Sequence, residues 1–207
     1  MPSMNRGILL IGPTGAGKTP LGELLARKGL WHARCFHFDF GQRLRRIAAG
    51  KDRLKALSRG DLDVIRRVLR TGDVLENQHF HIAEAILRSF MVERGIGTDD
   101  FIVLNGLPRH LDQAKDVDRL IDVQLVMCLS CPAEVALRRI RTNAGGDRAE
   151  RNDDNLESVE RRLAVFNERT APLLDHYRAM GVRVEKLDIA ANSSAEELLR
   201  PLERFAR

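Results

Sequence analysis

The sequence predicts a three-layer α/β fold, a five-stranded parallel sheet with helices on both faces. Three observations predict it. Short apolar runs alternate with helix-periodic segments along the 207 residues, and strands separated by whole helices pair in parallel. The runs at 7–11 and 101–104 are almost wholly apolar, as in strands buried on both faces. The first run leads into Gly12-Pro13-Thr14-Gly15-Ala16-Gly17-Lys18-Thr19, a G-x-x-x-x-G-K-[ST] loop between a strand and a helix.

Each element follows from its own pattern. After the strand at 7–11 and the glycine-rich loop, Leu21, Leu24 and Leu25 carry a helix that ends near Gly29. Residues 34–38, with Cys35, Phe36 and Phe38, read as the second strand. Residues 42–70 are helical and heavily charged, with breaks at Gly50 and Gly60. A helix over 77–94 is stopped by Gly95 and Gly97. The third strand, 101–104, runs into Asn105-Gly106-Leu107-Pro108. Then come a helix over 111–120, a strand over 123–129 and a helix opened by Pro132. Residues 143–154 are polar and glycine-containing and read as a loop. A long helix covers 156–178, the fifth strand 182–187, and the last helix 195–205. Ser193 or Ser194 caps that helix, with Glu196 and Glu197 in its first turn. The helical stretch 42–94 is too long for a simple crossover and reads as an inserted subdomain.

Composition bounds the function. Apolar residues make up 43% and charged residues 30%, which suits a packed core and excludes a disordered chain. The net charge of +5 is modest and spread out. It fits a small anionic ligand and argues against a nucleic-acid partner. Aromatics at 5% are too few for a base-stacking platform. No apolar run approaches the ~20 residues of a membrane helix, and the start of the chain lacks a leader pattern, so a cytoplasmic protein is expected. Three cysteines, an odd number, fit a reducing compartment. The lone Cys128-x-x-Cys131 reads as a strand end entering a helix. His79 and His81 lie on a regular helix with no third ligand in sequence, which favours surface or packing roles.

The loop carries the clearest chemistry. Its glycines let the backbone curl so that several N–H groups face one anion, and the following helix adds its positive end. Gly12, Gly15, Ala16, Gly17, Lys18 and Thr19 are therefore the candidate residues for binding a nucleoside triphosphate. Lys18 supplies a point charge for the phosphates and Thr19 an oxygen for Mg²⁺. Pro20, in the first helical turn, removes one N–H from the same region.

Three further segments carry a resemblance. Phe40-Gly41-Gln42-Arg43-Leu44-Arg45 is similar to T-G-D-x-L-R. Asn105-Gly106-Leu107-Pro108-Arg109, continuing to Gln113-Ala114, is similar to D-G-F-P-R-x-x-x-Q-A. Arg151-Asn152-Asp153-Asp154-Asn155, continuing to Arg161-Arg162-Leu163, is similar to R-x-D-D-N followed by R-L. Beyond these three, the shorter Thr170-Ala171-Pro172-Leu173 looks like T-A-P-L. Together they resemble the adenylate kinase family of nucleoside monophosphate kinases over nearly the whole chain.

The resemblance implies one kinase domain: a core of 1–40, 98–142 and 155–207, a helical acceptor-binding insertion at about 41–97, and a lid at about 143–154. It implies nucleotide substrates, ATP with Mg²⁺ and phosphoryl transfer to an AMP-like acceptor; a monomer is expected. Carried over by position, Arg45 and Arg109 face the acceptor phosphate and Gln113 its base. Gly41, Val74 and Leu75 line the acceptor pocket. Arg151 and Arg162 bracket the transferred phosphoryl and, with Lys18 and Arg109, make up the expected catalytic set; among Arg139, Arg141 and Arg148 the sequence does not choose a further lid or core cation.

The departures matter as well. Asn105 stands where the family motif has aspartate, and an amide holds hydrated Mg²⁺ more weakly than a carboxylate. Phe40, Gln42 and Leu107 also differ from the motif. Asp39, after the second strand, reads either as a carboxylate near the phosphates or as a helix N-cap. Two other readings stay open: a kinase with a different small-molecule acceptor, and a nucleotide-binding regulator with weak or no turnover.

Overall fold

The structure, a computed structural model, describes residues 4–146 and 156–203. Five parallel strands form one sheet: β1 (Asn5–Ile11), β2 (Cys35–Asp39), β3 (Phe101–Asn105), β4 (Ile121–Ser130) and β5 (Arg183–Asp188), in the order β2-β3-β1-β4-β5. The apolar runs are the inner strands: β3 is buried along its whole length and β1 from Gly7 onward.

The helices are α1 (Lys18–Lys28), α2 (Phe40–Ala48), α3 (Arg59–Thr71), α4 (Phe80–Arg94), α5 (Leu111–Val117), α6 (Ala133–Arg141), α7 (Leu156–Val165), α8 (Leu173–Ala179) and α9 (Ala195–Glu203). A 3₁₀ turn at Asn77–His79 precedes α4, where the sequence predicted continuous α-helix. On one face of the sheet, Leu9, Ile11, Phe38, Ile102 and Leu104 pack with Leu44, Ile65, Ile86, Phe90 and Tyr177. The helical region between β2 and β3 therefore shares its core with the sheet. On the other face, Ile8, Leu10, Val103 and Met127 pack with Leu21, Leu25 and Leu199.

Two cap expectations are resolved by hydrogen bonds. The Ser194 hydroxyl accepts from the Glu197 N–H and the Glu197 carboxylate from the Ser194 N–H, a reciprocal box at the start of α9. Asp39 caps α2, its Oδ1 accepting from the Gln42 N–H at 2.8 Å.

The single helix predicted over 156–178 is corrected to three pieces. A π turn at Phe166–Thr170 separates α7 from α8, and the Ala171 N–H reaches back five residues to the Phe166 carbonyl. Pro172 explains the break, because its ring has no N–H and crowds the carbonyl four residues before it. The wider turn lets the Thr170 hydroxyl donate to the Arg109 carbonyl at 2.8 Å, tying this segment to the loop after β3. The helix predicted to run to residue 120 ends at Val117, and the strand predicted to start at 123 starts at Ile121. No helix among the described residues is long and apolar enough to cross a membrane.

Candidate functional site

The site lies at the carboxyl ends of the parallel strands, where ligands bind in open α/β sheets. Register explains what meets there. Leu10 pairs with Asn105, and Asn105 pairs with Asp39, across three adjacent strands. The loop leaving β1 therefore stands beside the ends of β3 and β2.

The loop needs its glycines. Gly15 has φ 85° and Gly17 φ 98°, a region that side chains disfavour. A Cβ on Gly15 would also stand 2.7 Å from the Ala136 carbonyl. The turn is closed by the Ala16 N–H donating to the Pro13 carbonyl at 3.3 Å. The Ala16 side chain is fully buried in the core, so Ala16 lines the site with backbone at most. Lys18 Nζ donates to the carbonyls of Gly12 and Pro13 at 2.7 and 2.8 Å. Its ammonium is thus curled over the loop.

One cavity is lined by Gly12, Gly15, Gly17, Lys18 and Thr19 from this loop. It is also lined by Gly41, Arg45, Val74, Leu75, Arg109, Gln113 and Arg162. The sequence-predicted residues therefore converge, Ala16 and Arg151 apart. Arg151 and Arg148, with most of the 143–154 segment, lie outside the described residues. Of the remaining arginine candidates, Arg139 lines the cavity and Arg141 is exposed.

Arg139 is 4% exposed. Its Nε donates to the Gly15 carbonyl at 3.1 Å and its Nη1 to the carbonyls of Ala190 and Ser193 at 3.0 Å. It therefore braces the loop against the segment after β5. Nothing in sequence separated Arg139 from its neighbours, since only the facing of α6 distinguishes them.

The cations on the other side of the cavity crowd one another. The Arg109 pKa is pushed down to about 10, first by burial and then by the positive charges of Arg162 and Arg169. An anion among these groups relieves both costs. Arg169 is offset by Glu76, in two hydrogen bonds. Gly41 stands beside Arg45, whose Nη1 would lie 3.4 Å, in ordinary contact, from a Cβ at that position.

Gln113, expected to read a base, is 1% exposed and held at both ends of its amide. Its Nε2 donates to the Leu75 carbonyl at 2.6 Å and its Oε1 accepts from the Arg109 N–H at 2.8 Å. His110 is a residue the sequence reading missed. Its Nδ1 accepts from the Gln113 N–H and its Nε2 lies 3.1 Å from the Leu75 carbonyl, which places the proton on Nε2. Together Gln113 and His110 anchor the Val74-Leu75 segment to α5. A lone histidine after an arginine gave no sequence signal of this.

A polar cluster fills the junction of the three strands. Asp39 is 9% exposed and Asn105 5% exposed. The Thr19 hydroxyl donates to Asp39 Oδ2 at 2.9 Å. Asn105 Nδ2 donates to the same oxygen and to Thr19 Oγ1, both at 3.1 Å. Asp39 is thus both of the things its sequence position suggested, a cap and a carboxylate beside the phosphate loop. His37 Nε2 lies 3.3 Å from Asn105 Nδ2. Burial lowers the His37 pKa, with Asp39 opposing. His81, by contrast, is paired with Asp61 at 2.8 Å on the surface.

No model of a known protein family matches the chain. The chain is similar to an adenylate kinase of Haloarcula marismortui, 30% identical over 199 residues covering 84% of this chain and 85% of that protein. It is similar to an adenylate kinase of Thermus thermophilus at 28% over 186 residues, covering 86% and 87% of the two chains. One of Thermobifida fusca is 29% identical over 186 residues, covering 87% and 88%. With matches of this length and a parallel sheet whose phosphate loop opens into an arginine-lined cavity, the chain belongs to the adenylate kinase family.

Proposed function

We propose that the protein catalyses ATP-dependent phosphoryl transfer to a nucleoside monophosphate, with an AMP-like acceptor. In this reading the helical segment at about 41–97 holds the acceptor and the segment at about 143–154 covers the ATP. The observation that carries it is the shared cavity: the phosphate loop and Arg45, Arg109 and Arg162 line the same space. Two polyanions that must meet end to end repel each other, and a ring of fixed cations offsets that repulsion.

Lys18 leaves the Gly12 and Pro13 carbonyls to meet the ATP phosphates. Arg45 and Arg109 hold the acceptor phosphate, with Val74 and Leu75 against its base. Arg162, and Arg151 by resemblance, contact the transferred group. Planar guanidinium groups match charge spread over equatorial oxygens better than ammonium groups do. The reaction asks for no side-chain nucleophile, so catalysis is positioning, charge stabilisation and exclusion of water. Mg²⁺, when bound, neutralises phosphate charge and orders the phosphate oxygens. Thr19 would hold it, and the part-buried hydroxyl–carboxylate pair of Thr19 and Asp39 suits a cation that takes oxygen donors.

The test is a coupled assay of ATP and Mg²⁺ against a panel of nucleoside monophosphates. ADP formed with one acceptor and not without it supports the reading and names the base. Nucleotide binding with no turnover on any acceptor overturns it in favour of a regulator.

A further inference from the structure

We propose that the carboxylate facing the nucleotide-bound Mg²⁺ in this chain is Asp39, at the end of β2, acting with Thr19, and that Asn105, at the end of β3, orients Asp39. This rests on the function proposed above.

Asn105 is the last residue of β3, where the resemblance leads one to expect a carboxylate. Taken alone, the amide implies a weaker hold on the metal. The structure supplies the missing charge from the neighbouring strand. Asp39 and Asn105 are register partners in parallel strands, so their side chains leave the same face of the sheet side by side.

The hydrogen bonds give each a role. Asn105 donates through Nδ2 to Asp39 Oδ2 and to Thr19 Oγ1. An amide that turns its N–H₂ toward a hydroxyl and a carboxylate is a donor there, and its carbonyl oxygen cannot face the same point. The negative charge at this junction belongs to Asp39. Its other oxygen is spent on the Gln42 N–H, which leaves Oδ2 as the oxygen on the Thr19 side. Thr19 follows Lys18 directly, so this oxygen pair lies beside the phosphate loop and lines the same cavity. Hard oxygen donors, one of them anionic, are what Mg²⁺ takes. Asp39 thus supplies beside Asn105 the negative charge that the amide lacks.

The test uses the full chain, Mn²⁺ as a paramagnetic probe, and a non-hydrolysable ATP analogue. Metal affinity of the protein–analogue complex is read by electron paramagnetic resonance, and analogue affinity without metal by calorimetry. Asn is as good an N-cap as Asp, so Asp39→Asn keeps α2 started. It is expected to weaken Mn²⁺ by about tenfold or more, the effect of one lost charged contact. Metal-free analogue affinity should hold or rise, since a negative charge near the phosphates is gone. Asp39→Asn with Asn105→Asp returns the carboxylate one strand over and should recover most of the Mn²⁺ affinity.

Equal Mn²⁺ affinity in wild type and Asp39→Asn overturns the proposal and leaves Asp39 a helix cap. An equal loss of analogue affinity with and without metal also overturns it, as damage to the loop. Asn105→Asp alone gives an independent reading. Two adjacent carboxylates should lower thermal stability without metal and regain it with Mn²⁺ and analogue; unchanged stability in both conditions contradicts the juxtaposition. A wild-type chain that binds no analogue at all fails the proposed function itself.

Discussion

Glu76 and Arg169, 93 residues apart in sequence, meet in a two-bond pair with oxygens at 2.5 and 2.9 Å from the guanidinium. Glu76 follows the Val74-Leu75 segment, and Arg169 sits in the π turn whose Thr170 holds the Arg109 carbonyl. The pair therefore straps the helical region to the core beside the arginine cluster. The bond to Arg169 holds Glu76 below the usual carboxylate range, against the opposing effect of burial.

Because the two side chains are 52% and 31% exposed, their coupling should be worth no more than about 1 kcal/mol. Glu76→Gln is expected to lower Tm by roughly 2–4 °C, the shift such an energy makes in a chain this size. A double-mutant cycle with Arg169→Gln isolates the pair, and strict additivity would show that the strap contributes nothing.

Removing Lys18 removes the charge curled over the loop. Lys18→Ala should cut ATP affinity or turnover by about tenfold or more, as loss of a central phosphate cation does. Titration with a fluorescent ATP analogue measures it, and wild-type binding and turnover together would end the phosphate-loop assignment.

For Arg109 the expected defect is on the acceptor. Arg109→Ala should raise the acceptor KM far more than the ATP KM. Arg109→Lys should recover only part of that loss, because it keeps the charge but loses the fork. A defect confined to ATP would move Arg109 out of the acceptor site.

Arg162 is expected to act on the transition state. Arg162→Ala should lower kcat more than it raises either KM, since an interaction made best with the transferring group is lost there. Steady-state kinetics with each substrate varied in turn decides this, and an unchanged kcat removes the role.

Stability should fall in acid through Asp61. The Ser58 N–H first, then His81 and the Ser58 hydroxyl, hold its pKa at about 2. Since the unfolded value is ~4, the folded state binds fewer protons. The stabilisation is full above pH ~4 and is lost as pH falls toward 2. Asp61→Asn should flatten the stability curve in that window, as followed by urea unfolding at stepped pH; a parallel curve would show that Asp61 is not responsible.

The strands, the phosphate loop and most helices were legible in the sequence because their causes are local. Gly12 to Thr19 carry their chemistry in eight consecutive residues, and the periodicity of Leu21, Leu24 and Leu25 reports one buried face. The same locality narrowed the cap of α9 to Ser193 or Ser194, and the structure chose Ser194 with Glu197. What failed was local too, but shorter than the pattern. Pro172 interrupts a helix whose apolar spacing continues through it, so the periodicity hid the π turn that precedes the proline.

The function of a side chain at the site was a different matter. By itself the sequence determined that a strand ends in a phosphate loop and that arginines recur in motif-like segments. It did not determine which arginine of α6 faces in, that Gln113 is clamped between Leu75 and Arg109, or that Asp39 meets Asn105. The contacts of Gln113 with Leu75 and of Asp39 with Asn105 span tens of residues, and the latter exists only once the sheet order β2-β3-β1 is set. Parallel register then brings the ends of three strands to one point, so Asp39 at the end of β2 stands beside Asn105 at the end of β3.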